Sequence, residues 1–156
     1  MNRAELQRRG FEGWIPLLTA DASPLVPGTP GVYAVTYELG RPAPWPASSC
    51  GGWYKGNDPS VPSDRLDSEW LNDCDIVYIG KTDQTLRKRI KAFARYGRGE
   101  AVAHQGGRLI WQLPNVENLL IGWQTLDVGQ ATTREADLFG EFVAKFGRLP
   151  FANLRY

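Results

Sequence analysis

The sequence has little of several residue types that mark well-known protein classes. It contains only two cysteines, Cys50 and Cys74, and they do not form a zinc-binding pattern. No stretch approaches the run of about 20 apolar residues that a membrane-spanning helix needs, and the N-terminus lacks the charged-then-apolar pattern of a signal peptide. We therefore expect a cytoplasmic protein that does not bind membranes and keeps two free thiols.

The chain also lacks internal repeats, low-complexity tracts and a strong net charge. Its formal net charge is +1, which by itself indicates no particular partner. The apolar and charged fractions, 42% and 22%, are ordinary for a globular protein. A chain of 156 residues is long enough to bury its own core. We expect one domain over residues 1–156, with residues 1–30 as an N-terminal lead-in.

Three stretches have the composition of buried strands, and two have the pattern of helices. The strands are predicted over residues 31–37, 75–80 and 119–126. One helix is predicted over residues 84–96. The other is predicted to begin at an N-cap, Thr132 or Thr133, and to end near residue 146, just before a glycine.

Residues 38–74, between the first two strands, are rich in turn-forming and aromatic residues. They contain five prolines, four glycines and the tryptophans Trp45, Trp53 and Trp70. This is too much aromatic surface for a disordered linker. We expect an ordered, loop-rich insertion held by its tryptophans, with a short helical turn near residues 63–71.

Basic residues concentrate on the second strand's end and on the helix that follows. Between Lys81 and Arg98 the chain has seven cations and one acid, Asp83. A strand that passes through a glycine into a helix leaves free backbone N–H groups, which bind anions. The alternative is a solvated helix surface. The candidate nucleic-acid-binding residues are Gly80, Lys81, Arg87, Lys88, Lys91 and Arg108.

Two charged side chains occupy unusual positions on their predicted helices. Arg89 borders an apolar stripe, so it either reaches over the end of the sheet or lays its stem along apolar surface. Glu135 falls in the middle of the apolar face of the last helix. A carboxylate in that position needs a cationic partner or a metal. A buried ion pair, a favourable interaction with the helix dipole and a magnesium site all remain open.

Four more residues are candidates for a site. Tyr33 and Tyr78 lie on neighbouring strands, where tyrosine is also a common core residue. A catalytic tyrosine must lose a proton, so nearby cations would have to lower its pKa from the usual value of about 10. His104, the only histidine, lies in a glycine-rich loop and is either structural, exposed or part of the site. Asn153 is either a turn residue or a site residue.

Together these motifs resemble those of the GIY-YIG nuclease superfamily. Two strand motifs, Gly31-Val32-Tyr33 and Tyr78-Ile79-Gly80, are followed by Leu-x-x-Arg at residues 86–89, by Glu135 with a leucine three residues later, and by Pro-x-x-Asn at residues 150–153. The chain departs from the family in having valine in the first motif. It also has 44 residues between the two motif tyrosines, where about ten are usual.

The resemblance implies an α+β fold with a central, mainly antiparallel sheet of three strands flanked by helices. It also implies a metal-dependent endonuclease that hydrolyses DNA phosphodiester bonds. Glu135 would hold Mg²⁺ or Mn²⁺, Arg89 would contact the scissile phosphate, and Tyr33 or Tyr78 would be the base. Asn153 would help to organise the site. Apart from the resemblance, we include His104 among the catalytic candidates as a residue that would assist proton transfer.

Three points stay open at this stage. Glu141 fits the family's usual spacing to the final asparagine better than Glu135, but it lies on the polar face of its helix. A non-catalytic nucleic-acid-binding module or a protein-interaction module on the same fold is the alternative function. DNA targeting would have to come from residues 38–74, from the N-terminal segment, from a homodimer or from a partner protein.

Overall fold

The described residues form four helices and four strands around a single sheet. The structure is a computed structural model and describes residues 1–104 and 106–154. In chain order the elements are α1 (Arg3–Arg8), β1 (Glu12–Pro16), β2 (Gly31–Thr36), α2 (Ser63–Glu69), β3 (Ile76–Thr82), α3 (Leu86–Gly97), β4 (Leu120–Thr125) and α4 (Ala131–Phe146). Short 3₁₀ helices cover Leu17–Ala22, Tyr54–Gly56, Arg108–Gln112 and Val116–Asn118. None of the helices in this part of the chain has the length and apolar character needed to cross a bilayer.

The strands pair antiparallel in the order β1-β4-β2-β3. The predicted α+β class, an antiparallel sheet flanked by helices, is confirmed, but the predicted number of three strands was wrong. β1 adds a fourth strand at one edge. β1 lacks the regular alternation of side chains between the two faces of a sheet. The reason is that Gly13 and Trp14 both have positive φ, and the pairing register with β4 shifts between Gly13 and Ile15.

The sheet separates two apolar layers. On one face, β2 and β3 contribute Tyr33 and Tyr78, which pack beneath α3 and the 3₁₀ helix Leu17–Ala22. On the other face, Val32 and Ala34 of β2 pack against α1 and α4. The functional candidates on α3 and α4 therefore approach β3 from opposite faces of the sheet.

The ends of the two long helices follow local capping rules in different ways. The Thr85 side chain caps α3 by accepting a hydrogen bond from the backbone N–H of Lys88. The N-cap of α4 is Gln130, two or three residues before the predicted N-caps Thr132 and Thr133, and its side chain makes no capping hydrogen bond. α4 ends as predicted, at Gly147, which has a φ of 75°.

The connection between β2 and β3 is rich in loops but packs on the rest of the protein. Trp45 and Trp70 both contact the ring of Phe151, with centroid distances of 5.9 and 5.3 Å. The predicted helical turn is present as α2. Trp53 differs from the other two tryptophans because 56% of it is exposed.

Candidate active site

A polar cleft of about 640 Å³ opens beside the C-terminal end of β3. Three elements supply its main side chains. β3 contributes Tyr78 and Lys81, α3 contributes Lys88 and Arg89, and α4 contributes Glu135. Residues that are distant in sequence thus meet where the edge strand ends and two helices approach it.

Arg89 is oriented by a buried tyrosine. Its Nε donates a hydrogen bond to the hydroxyl oxygen of Tyr33 over 3.2 Å. Tyr33 is fully buried, and its strand partner in the register is Gly80. Arg89 also interacts with the Tyr78 hydroxyl, and its side chain lines the cleft, where the guanidinium can contact a ligand.

Tyr78 is the motif tyrosine that lines the cleft. Its ring lies 6.1 Å from the Tyr33 ring and 5.6 Å from the Phe93 ring, measured between centroids. Burial raises the pKa of both phenols above the usual value, and the neighbouring Tyr33 raises the pKa of Tyr78 further. At Tyr33 the Arg89 charge and the hydrogen bonds with Arg89 and Tyr78 lower the pKa, but burial dominates. Both tyrosines are therefore protonated at neutral pH.

Glu135 points a carboxylate into the cleft without a partner. It is half-buried, and it makes no hydrogen bond or ion pair with any residue in the described ranges. Burial raises its pKa although the cations Lys81 and Arg89 act in the opposite direction. Lys81 is itself engaged, because its Nζ lies 2.6 Å from a carboxylate oxygen of Asp83.

The donor set at Glu135 fits one kind of metal ion. Among the described residues, no three His, Cys, Asp or Glu side chains form a group that could hold a metal. Mg²⁺ does not need such a group, because one or two carboxylates suffice when waters and substrate phosphates complete the coordination. Glu135 therefore fits a hard divalent cation that arrives together with a phosphate ligand.

Asn153 supports the site from outside the cleft. Its side-chain oxygen accepts a hydrogen bond from the Ile79 N–H over 2.9 Å, and its amide nitrogen donates to the Ile79 carbonyl over 2.8 Å. The Ala152 N–H donates to the Val77 carbonyl in the same way. The chain end thus pairs with the free edge of β3 and holds the strand that carries Tyr78.

His104 is a core residue in this structure. It is completely buried and stacks on Phe93, with 4.4 Å between ring centroids. Burial, aided by the positive charge of Arg89, lowers the pKa of His104 to about 3, so the imidazole is neutral at pH 7. His104 is therefore too weak a base to accept a proton efficiently at neutral pH. The neighbouring Gln105 lies outside the described residues.

The predicted nucleic-acid-binding residues divide into three groups. Lys81 and Lys88 line the cleft. Arg87 and Lys91 are exposed on the outer face of α3. Arg108 lines a separate cavity, and Gly80 lies beneath the Tyr33 ring.

The cleft also contains five residues that the sequence analysis did not select. Only Asp83 among them could have been noticed in the sequence, as the one acid in the basic stretch. They are Thr82, Asp83, Gln84, Ala92 and Ala103.

Comparison with protein-family models, with curated proteins and with solved structures finds no match to this chain. The functional interpretation therefore depends on the chemistry of the cleft and on the motifs in the sequence.

Proposed function

We propose that this protein is a divalent-metal-dependent endonuclease that hydrolyses DNA phosphodiester bonds in the cleft at the end of β3. The observation that carries the proposal is the half-buried carboxylate of Glu135, which has no partner among residues 1–104 and 106–154, in a cleft shared with Arg89 and Tyr78. An unpaired carboxylate removed from water costs free energy, and a metal ion would compensate that cost. The ordered motifs that resemble those of GIY-YIG nucleases support the same reaction.

Arg89 is the residue that would bind the scissile phosphate. Because Tyr33 accepts the Nε hydrogen bond and Arg89 lines the cleft, the guanidinium is held where its other N–H groups would bind a phosphate. Such preoriented donors stabilise charge that develops on phosphate oxygens during in-line attack. Lys88, exposed at the rim of the cleft, adds a positive field that attracts the DNA backbone.

Tyr78 is the phenol that would contact the attacking water, since Tyr33 is buried behind Arg89. The Tyr78 hydroxyl is protonated in the free protein, so it first acts as a hydrogen-bond donor. A divalent cation held by Glu135 would supply positive charge next to the phosphate and favour the loss of protons from nearby oxygen groups. Tyr33 is then a positioning residue rather than the base.

The experiment is cleavage of supercoiled plasmid DNA. Wild type should nick the plasmid with Mg²⁺ or Mn²⁺, and EDTA should stop the reaction. Glu135→Gln should abolish nicking while the variant remains folded. The matched control is Glu141→Gln, because Glu141 is on the same helix but exposed and paired with Arg9. Equal nicking by wild type and Glu135→Gln would refute the metal assignment.

One observation favours a second candidate, a nucleic-acid-binding module without catalysis. Burial raises the pKa of both phenols, so the free protein holds no ionised tyrosine that could serve as a base at neutral pH. This candidate predicts DNA binding that weakens with salt and no cleavage with any divalent metal. A gel shift and the plasmid assay on the same preparation distinguish the two functions.

A further inference from the structure

A second feature of the protein is a clamped loop, residues 49–61, which we call the tip loop. The C-terminal end of the tip loop is held by the buried side chain of Gln112. This side chain accepts a hydrogen bond from the Val61 N–H and donates one to the Val61 carbonyl, both over 2.9 Å. The Cys50 N–H donates to the Trp111 carbonyl over 2.9 Å. These bonds connect both ends of the tip loop to the core.

The tip loop rests directly on the C-terminal end of α3. The Gly52 N–H donates to the Tyr96 carbonyl over 2.9 Å. The backbones approach so closely that a Cβ on Gly52 would lie 1.9 Å from the Glu100 carbonyl oxygen. Only glycine allows this contact. The position of the tip loop relative to α3 is therefore determined by the packing of the two backbones.

The tip of this clamped loop presents an aromatic side chain to solvent. Trp53 is 56% exposed, whereas Trp111 and Trp123 are 1% and 2% exposed. A large indole held outward on a fixed loop is a typical surface for binding a flat ligand. Beside it lies a cavity of about 130 Å³, which is lined by Tyr54, Tyr96 and Arg108 among others.

The charges around the tip fit a polyanion. Lys55 and Arg108 make no ion pair with any residue of the described ranges. The acid beside the cavity, Asp58, accepts a hydrogen bond from the Ser60 N–H. Glu100 is neutralised by Arg95 and Arg98. The hydrogen bond leaves the charge of Asp58 in place, so the two cations Lys55 and Arg108 and the one carboxylate give this region a net charge of +1.

α3 links the tip to the cleft. Lys88 and Ala92 line the cleft, and Tyr96, one turn beyond Ala92, lines the cavity beside the tip. From Arg89 to Tyr96 the helix rises about 10 Å. Because each strand of duplex DNA advances about 3.4 Å per nucleotide, the end of α3 on which the tip loop rests lies roughly three nucleotides along the helix axis from Arg89.

We propose that Trp53 stacks on an unpaired nucleobase of the DNA held in the cleft, a few nucleotides from the scissile phosphate, with Lys55 and Arg108 on the flanking backbone. This inference rests on the proposed nuclease function and names its substrate class: DNA with unpaired bases next to the cut. Exposed aromatic side chains stack on any base and need no sequence readout. A fully paired duplex keeps its bases stacked on each other and gains nothing from Trp53.

The test measures binding in EDTA, so that it does not depend on cleavage. Fluorescein-labelled duplex DNA and the same duplex with a short single-stranded gap are titrated with wild type, Trp53→Ala, Trp53→Phe and Val128→Ala. Val128 is the control because it is 85% exposed and lies outside the tip loop. Trp53→Ala should weaken binding to gapped DNA by roughly 5- to 140-fold, the range for loss of one stacked base, and leave duplex binding unchanged.

Trp53→Phe should retain most of the affinity because its ring still stacks. The fluorescence of a 2-aminopurine placed in the gap should be quenched by wild type and not by Trp53→Ala.

Unchanged binding of gapped DNA by Trp53→Ala overturns this inference. If wild type still cleaves plasmid DNA in that case, the nuclease proposal is unaffected. Trp53-dependent binding without any cleavage supports stacking of Trp53 on an unpaired base, but it refutes the nuclease proposal and with it the position relative to a cut. Loss of self-association in light scattering, with DNA binding unchanged, would overturn it in favour of contact between two copies.

Discussion

The ring of Tyr33 occupies the space directly above Gly80, its pairing partner on the adjacent strand. A Cβ at Gly80 would lie 2.6 Å from Cζ and 2.7 Å from the hydroxyl oxygen of Tyr33. The glycine of the second strand motif therefore makes room for the tyrosine of the first. That tyrosine in turn accepts the hydrogen bond that orients Arg89.

Gly80→Ala should destabilise the protein and displace Tyr33. We expect a loss of about 1–3 kcal/mol in the free energy of unfolding, the usual effect of overpacking a core, measured by urea denaturation. The control is Gly140→Ala on α4, where a Cβ would meet no atom within 4 Å. That substitution should stabilise the protein by about 0.5–1 kcal/mol, because alanine favours helix. Equal effects of the two variants would contradict the Tyr33 contact.

Arg89→Lys should reduce cleavage strongly although the positive charge is kept. Lysine has no planar guanidinium, so it lacks the fixed geometry by which one side chain donates to Tyr33 through Nε and presents further N–H groups to a phosphate. We expect a fall in kcat of about 10²–10³, as for the loss of one preoriented donor. Arg87→Lys, on the exposed face of the same helix, should cleave like wild type. Wild-type rates for Arg89→Lys would show that only charge matters at this position.

Glu135→Gln should raise the melting temperature while it removes activity. Burial raises the pKa of Glu135, so the ionised carboxylate destabilises the folded state at any pH above that pKa. The destabilisation disappears as the pH falls below the unfolded-state pKa of about 4.3, where both states bind the proton. For a half-exposed group we expect a gain in Tm of roughly 1–3 °C at pH 7.

Differential scanning fluorimetry at pH 7 and at pH 4 measures this dependence. The gain in Tm should be much smaller at pH 4, because this pH lies below the unfolded-state pKa and the carboxyl group is mostly protonated in both states. Glu141→Gln should show no gain at either pH, because Glu141 is exposed and paired with Arg9. A lower Tm for Glu135→Gln at pH 7 would mean that the carboxylate has a stabilising partner.

The pH dependence of cleavage should identify the base. Burial raises the pKa of Tyr78 above its usual value of about 10, so its ionised fraction grows about tenfold per pH unit across the neutral and mildly alkaline range. If Tyr78 takes the proton, wild-type kcat should rise with pH in that range. Tyr78→Phe should lower kcat by about 10²–10⁴ and remove the rise. Tyr33→Phe should lower kcat but keep its increase with pH. If Tyr33→Phe removes the increase and Tyr78→Phe keeps it, Tyr33 is the base and Tyr78 the positioning residue.

Asn153→Ala should act mainly on stability. It leaves the buried N–H and carbonyl of Ile79 without partners, which should cost about 1–3 kcal/mol in urea denaturation. Cleavage by the folded variant should fall far less than with Arg89→Lys, because Asn153 does not line the cleft. Asn118→Ala, at an exposed position, is the control for a neutral amide substitution. A catalytic loss as large as that of Arg89→Lys, with normal stability, would place Asn153 in the reaction.

Local patterns predicted the elements that carry strong periodicity. The helical wheel separated Glu135 from Glu141, and the structure places the first in the cleft and the second on the exposed face. The fourth strand was missed because positive φ at Gly13 and Trp14 breaks the alternation by which strands are identified. Whether His104 packs in the core or joins the site could not be predicted, since it depends on stacking with Phe93 from another element.

By itself, the order of residues determined which segments are strands and helices and which of their side chains are unusual. Periodicity and capping are interactions between near neighbours in the chain, so they can be read without coordinates. Only the tertiary structure decided that Tyr33 supports Arg89, that Tyr78 reaches the cleft, and that Asn153 pairs with the edge of β3. Those roles depend on strand register and on contacts between residues more than 50 positions apart, and such contacts leave no local pattern in the sequence.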